Sequence, residues 1–296
     1  MYRLIAAEKA NFPVTMMCRV LAVARSAYYA WTSRAPSARD LRAGELGVRI
    51  AALHADSDGT YGAPRILVDL RAEGVVVSGK TVAKAMRARG LVGCGPRPWR
   101  TTTIPEPDPD NIPLDRVERD FDQGRLDAVW VGDITYIRTW TGWLYLATVI
   151  DAHSRKVIGW ALDVHMRADL VVDALRMAVV LRGPDTADVA GVIFHSDRGV
   201  QYTSQALRDF AGDHGVLLSV GRTGVCWDNA MAESFFATLK KELIYRHPWP
   251  TQARAKTAVI AWIEGRYNRR RRHSAIGMQT PVQFETTARH TASLAA

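Results

Sequence analysis

Three carboxylates stand where a packed interior would reject them. Asp133 interrupts the apolar run VWVGDITYI, Asp197 ends VIFHSD, and Glu233 lies in DNAMAESFFATLKKE, which reads as a helix. A carboxylate inside a strand costs several kcal/mol unless it is paired or bound to a cation. Acids from three separate elements therefore point to a shared metal. Hard divalent ions such as Mg²⁺ take oxygen ligands and leave positions open for phosphate and water. That donor set suits phosphoryl transfer on nucleic acid. For any one of these acids a surface or capping role is the simpler reading, and Asp197, followed by Arg198-Gly199, also fits a turn. The set of three outweighs the single cases.

The elements around them explain how they could meet. LDAVWVGDITYIRT, GWLYLATVIDAHS and KVIGWALDVHM are β-rich runs joined by turns at Thr141-Gly142 and Ser154-Arg155, an antiparallel meander. A helix (ADLVVDALRMAVVLR), a fourth strand (VAGVIFHSD), a helix (SQALRDFAGDHG), a fifth strand (VLLSVG) and the Glu233 helix follow. This order predicts an α/β fold, a mixed five-stranded sheet flanked by helices, as in a ribonuclease-H-like core. Asp133 then lies on the first strand and Asp197 just after its neighbour, the fourth. On the last helix Ala232, Phe235, Phe236, Leu239 and Leu243 form an apolar stripe, with Glu233 at its boundary. Lys240, seven residues on, falls about 20° from Glu233 around the axis. It is read either as a grip on DNA or as a surface lysine. His195, two before Asp197, either faces the same site or packs.

Six prolines between Pro96 and Pro113 mark 92–116 as a stiff linker. It divides an all-α region, 1–91, from a catalytic core, 117–250, and a basic helical tail, 251–296. In the N-terminal region MMCRVLAVARSAYYAW predicts two helices with a break near Arg25–Ser26, and ELGVRIAALHA, APRILVDLRAEG and SGKTVAKAMRARG predict three more. In the last, Ser78 is a candidate N-cap and Gly90 a stop. Val82 and Met86 share one face, while Lys80, Lys84 and Arg87 share the other. A two-helix turn with a basic second helix resembles a helix-turn-helix DNA reader, although an amphipathic helix with solvated lysines gives the same stripe. Net charge is +9 over 1–100, −6 over 101–250 and +6 over 251–296. Basic ends flanking an acidic centre suit a polyanion that is neutralised locally by metal. Cys18, Cys94 and Cys226 are too few and too scattered for a disulfide framework or a zinc site. With no long apolar segment or secretory leader, the expectation is a soluble, cytoplasmic, nucleoid-associated protein.

These motifs together resemble the OrfB-type transposases of bacterial insertion sequences, whose DDE-superfamily catalytic core is similar to retroviral integrase. The resemblance rests on YGAPRILVDLRAEGVVVSGKTVAKAMRARGLVG, WVGDITYI, HSDRGVQYTS, DNAMAESFFATLKKE and the tail YNRRRRHSAIGMQTPVQFE. In the tail Tyr267, Asn268, Arg271, His273, Gly277 and Pro281 fall on the family pattern, and Ile276 replaces the usual leucine. The resemblance implies a metal-dependent DNA transposase in which Asp133, Asp197 and Glu233 are the catalytic acids. They would hold two Mg²⁺ ions, with Mn²⁺ as substitute.

Water would cleave at the element end, and the freed 3′-hydroxyl would attack a second phosphodiester. Implied partners are the terminal repeats and target DNA, further copies of the chain in a synaptic complex, and an upstream OrfA protein or OrfA fusion segment. Tyr267, Asn268, Arg271 and His273, around the Arg269–Arg272 run, would join Lys240, Lys80, Lys84 and Arg87 in contacting DNA. A nuclease that stops after hydrolysis and a DNA-binding regulator with inert carboxylates are the competing readings.

Overall fold

The computed structural model describes residues 1–95, 114–117, 120–183, 189–221 and 230–295. The chain divides into two compact units, Met1–Gly93 and Cys94–Ala296. All six prolines that define the expected linker lie outside the described residues, as does Cys226.

The first unit is helical: α1 (Tyr2–Glu8), α2 (Val14–Val20), α3 (Arg25–Thr32), α4 (Ala38–Asp56), α5 (Ala63–Ala72) and α6 (Gly79–Ala88). The break between α2 and α3 falls just before Arg25, with Ala22 at φ +52°. Helix α1 has no counterpart among the expected helices; it contributes Ile5 to a small core with Met17, Cys18 and Tyr28. Ser37 and Asp40 open α4 with a reciprocal capping box. Ile50, Leu53, Ile66, Leu70, Val82 and Met86 pack α4, α5 and α6 together. Ser78 caps α6 through its hydroxyl, which accepts the Thr81 N–H. Gly90 follows at φ +66°, the left-handed conformation expected of a helix stop.

The second unit is built on five strands: β1 (Val129–Thr139), β2 (Gly142–Asp151), β3 (Val157–Asp163), β4 (Ile193–Ser196) and β5 (Leu217–Val220). Their order is β3-β2-β1-β4-β5. The meander β1-β2-β3 is antiparallel, and β4 and β5 join it in parallel. Helices α7 (Ala168–Arg182) and α8 (Gln205–Asp213) cover one face, where Trp130, Val149, Ile158, Leu175, Phe194 and Leu207 meet. The other face takes α9 (Ala230–Glu242) and α10 (Gln252–Ala261) over Ile137, Leu146, Phe235, Leu239, Val259 and Trp262. This is the mixed, doubly covered sheet that the element order predicts. No helix among the described residues is long and apolar enough to cross a membrane.

Helix α7 lies directly against β3. A Cβ added at Gly159 would stand 2.1 Å from the Ala174 carbonyl oxygen and 2.9 Å from the Ala178 nitrogen, both backbone atoms. Gly159→Ala must therefore push the helix off the sheet, at a cost of about 1–3 kcal/mol. Its urea midpoint is expected to fall; an unchanged midpoint would mean that α7 can shift freely.

The segment 251–295 packs onto the same unit. Helix α10 continues into a π-helical turn, Trp262–Tyr267, which sets Trp262 and Tyr267 on Phe235 of α9 with ring centroids 6.0 and 4.8 Å away. Helix α11 (Pro281–Ala295) places Glu285 in a buried charge cluster. Arg182 binds both oxygens of Glu285 and lies 2.8 Å from Asp127, while Lys156 reaches Glu285 at 2.8 Å. Asp151 accepts the Asp127 and Ser154 N–H groups there.

Burial alone would raise the pKa of Glu285, but Arg182 and then Lys156 outweigh it and hold the carboxyl below its ordinary 4.5. A lowered folded pKa stabilises the fold above the ordinary value, and this is lost as pH falls through the lower one. Urea midpoints taken between neutral pH and about pH 3 should fall less steeply in Glu285→Gln than in wild type. Parallel profiles would remove Glu285 from the acid response.

Candidate active site

Parallel pairing brings two acids to one edge. Val129, Trp130 and Val131 of β1 lie opposite Ile193, Phe194 and His195 of β4. Two residues beyond Val131 is Asp133, and two beyond His195 is Asp197. Asp133 therefore lies on β1, and Asp197 lies one residue past the end of β4, the strand beside it. Asp133 alternates with Val131 and Ile137, both of which pack on the α9 side. There α9 turns Ala232, Phe235, Phe236 and Leu239 inward and leaves Glu233 half-buried.

The charges register this gathering. Burial first, then the charge of Asp197 and more weakly that of Glu233, push the Asp133 carboxyl well above the ordinary range. The Ile134 N–H, donating to Asp133 Oδ1 at 2.7 Å, and the Lys240 ammonium act in the opposite sense. Asp197 is also raised by burial, against an N–H bond of 3.0 Å from Gly199. Among the described residues no three His, Cys, Asp or Glu side chains are drawn close enough to hold a metal ion as they stand. The acids face one another at Coulombic range, short of a closed ligand set. Like charges resist nearer approach, and a divalent cation would reverse the sign of that force.

Lys240 is partly buried, with its ammonium 5.2 Å from the centre of the Tyr136 ring. Burial lowers its pKa and Asp133 opposes that shift. It therefore belongs to the acid cluster and is not a free surface lysine. His195 packs: its Nδ1 lies 2.9 Å from Ser219 Oγ, and its ring meets Phe121 edge-on.

Tyr202 was not foreseen. Its ring is buried beside Phe194, and its hydroxyl, close enough to feel Asp133 and Asp197, has no hydrogen-bond partner among the described residues. Gly132 makes room for these rings: a Cβ there would stand 2.4 Å from Phe194 Cζ. The only sequence signal was Tyr202's place five residues after Asp197.

The structure corrects the expected DNA contacts of the tail. Tyr267, Asn268, Arg271 and His273 are only 4%, 2%, 7% and 8% exposed. Asn268 exchanges hydrogen bonds with the backbone of Val157, donating to its carbonyl at 2.9 Å and accepting its N–H at 3.0 Å. Arg271 pairs with buried Glu242 of α9 at 2.9 Å. Tyr267 is wedged among Phe235, Trp262 and His273, and burial pushes its hydroxyl up to about 12. Asn268 ties this segment to β3, and Tyr267 and Arg271 tie it to α9, with His273 packed against both; polar groups so enclosed cannot reach a phosphate. Arg269 and Arg270 are the exposed members of the run. In the first unit Lys80, Lys84 and Arg87 lie exposed on α6, opposite buried Val82 and Met86.

Three family models match the chain. The integrase core domain matches residues 125–226, a second integrase core domain model matches 214–281, and the HTH-like domain matches 42–99. The chain is 39% identical over 291 residues to transposase InsF for insertion sequence IS3A of Escherichia coli (strain K12), a match covering 96% of this chain and 98% of that protein. The chain belongs to the insertion-sequence transposase family. The putative transposase for insertion sequence element IS986/IS6110 of Mycobacterium tuberculosis is 37% identical over 265 residues, covering 89% of this chain and 95% of that protein.

The transposase is thus a DDE polynucleotidyl transferase acting in DNA transposition, a DNA-binding enzyme of a class that uses divalent metal. Solved structures similar to it include the HTLV-2 integrase catalytic core domain in complex with magnesium (TM-score 0.40, 16% identity, 54% of this chain and 96% of that one). Another is the simian T-cell lymphotropic virus intasome (TM-score 0.44, 14% identity, 79% of this chain and 73% of that one). The family assignment rests on the sequence matches.

Proposed function

We propose that Asp133, Asp197 and Glu233 are the catalytic acids of the transposase and together hold two Mg²⁺ ions, with Mn²⁺ as a working substitute. The observation that carries this reading is the placement of Asp133 on β1 and of Asp197 just past the end of the neighbouring parallel strand β4, with α9, which bears Glu233, packed against β1. The donor set fits a hard cation: three carboxylates, partly desolvated, with Lys240 as the nearby counter-charge. Bound there, such ions would lower the pKa of water and stabilise charge on the leaving oxygen.

The chain's own residues do the positioning. Lys240 holds the phosphate backbone beside Asp133, and the Ile134 and Gly199 N–H groups fix the two aspartates. Lys80, Lys84 and Arg87 of α6 grip element DNA, giving affinity and register. Hydrolysis breaks the P–O bond at the element end and leaves a 3′-hydroxyl. That hydroxyl attacks a target phosphate in line, forming the new phosphodiester as the P–O bond to the target's own 3′-oxygen breaks, and the proton it gives up passes through solvent to that departing oxygen. Two ends must meet in one complex, so the working species is a multimer, with an OrfA protein or OrfA segment as partner.

Labelled element ends, both intact and pre-cleaved, incubated with Mg²⁺ or Mn²⁺, with and without OrfA, test this reading. Joined product is expected. Hydrolysis without any joined product under both conditions would favour a nuclease.

A further inference from the structure

A groove that shares only Lys240 with the catalytic reading opens next to it. It encloses about 680 Å³ between the β1–β2 hairpin and the end of α9. Its walls are aromatic: Tyr136, Trp140 and Trp143 on the hairpin, and Tyr245 just after α9. These rings are not core. Trp140 is 75% exposed, Tyr245 63%, Tyr136 52% and Trp143 45%. Cations line the same groove and pair with the rings. The Arg138 guanidinium sits 6.0 Å from the centre of Trp143, and the Lys240 ammonium sits 5.2 Å from that of Tyr136. Four large exposed rings in one place form a patch that folding alone does not explain.

We propose that this groove is a stacking platform for an unpaired stretch of the DNA strand entering the active site. A ring face accepts a base only when that base has left its own stack, so exposed aromatics select opened strands over intact duplex. Interleaved cations supply the backbone attraction that such sites combine with stacking. Lys240 provides the continuity that fixes which strand is held: its ammonium lies over Tyr136 in the groove while its charge reaches Asp133. A strand whose bases lie on Tyr136 and Trp143 would therefore present its next phosphates to the acids. The groove thus opens the element end and holds it open for cleavage. This assignment rests on the catalytic reading above for the identity of the strand, but not for the binding itself.

The full-length Trp140→Ala/Trp143→Ala variant tests it, because both rings are exposed and their loss leaves the core intact. The probes are a dT oligonucleotide of about 12 nucleotides bearing 2-aminopurine, and a fully paired duplex of element-end sequence, both in metal-free buffer. Wild type is expected to bind the oligonucleotide and change its 2-aminopurine emission. The variant should bind it about 10–100-fold more weakly while duplex affinity stays within about twofold. Joining by the variant should fall on fully paired ends and recover on ends whose terminal bases are mispaired beforehand.

Equal binding of the oligonucleotide by both proteins, equal loss of both probes, or no oligonucleotide binding by wild type would overturn the proposal. A wild-type protein that joins nothing with or without OrfA, while the selective probe loss persists, would instead overturn the catalytic reading and support the groove.

Discussion

On the proposed reading, replacing Asp133 with Asn is expected to lower both cleavage and joining on the order of a thousandfold, without loosening the fold. The activity loss follows from removing one of three oxygen donors: metal stabilisation of the transition state is worth several kcal/mol, and about 4 kcal/mol corresponds to that factor. The stability outcome comes from the same geometry. Asp133 is desolvated and repelled by Asp197 and Glu233, with only the Ile134 N–H and Lys240 in its favour. A neutral, near-isosteric amide relieves that repulsion, so the thermal midpoint of metal-free protein should hold or rise. Cleavage of labelled ends and a melting curve on the same preparation check both halves. A variant that stays active, or one that melts well below wild type, would remove Asp133 from the assigned role.

The second large effect lies away from the chemistry. Arg182→Met leaves Asp127, Asp151 and Glu285 clustered, with Lys156 as the remaining cation beside Glu285. Arg182 is 2% exposed at its side chain. Breaking a buried pair by removing one partner costs about 3–5 kcal/mol, because the other charge stays buried and unmatched. The expected result is a large drop in the urea midpoint. Adding Glu285→Leu to Arg182→Met should restore part of it, since one orphaned charge is then gone. Additive losses would show that Arg182 and Glu285 do not act as a pair.

The acid cluster was legible because it breaks local rules. An aspartate inside VWVGDITYI and another closing VIFHSD conflict with their own strands, and the element order places those strands side by side. Glu233 could be placed because the Phe235–Leu239 stripe fixes the rotation of α9. The tail was misread for the opposite reason. A run such as YNRRRRH looks solvated, since nothing in it says which charge finds a distant partner. Asn268 bonds Val157, 111 residues away, and Arg271 bonds Glu242, 29 residues away. Such pairings are decided by tertiary packing. The aromatic groove was hidden as well: Tyr136, Trp140 and Trp143 satisfy strand and turn preferences, and only the closed hairpin shows that they remain exposed. The charge cluster around Arg182 draws on β1's approach, β2, α7 and α11, four separate stretches of the chain.

Mn²⁺ titrated into the full-length protein and followed by its own spin-resonance signal tests directly whether the three acids form one metal site. Wild type is expected to bind Mn²⁺ and to compete it off with Mg²⁺. Asp133→Asn, Asp197→Asn and Glu233→Gln should each weaken that binding by about tenfold or more. Binding that survives in all three variants unchanged, or a wild-type protein that takes up no Mn²⁺ with or without element-end DNA, would contradict the shared site.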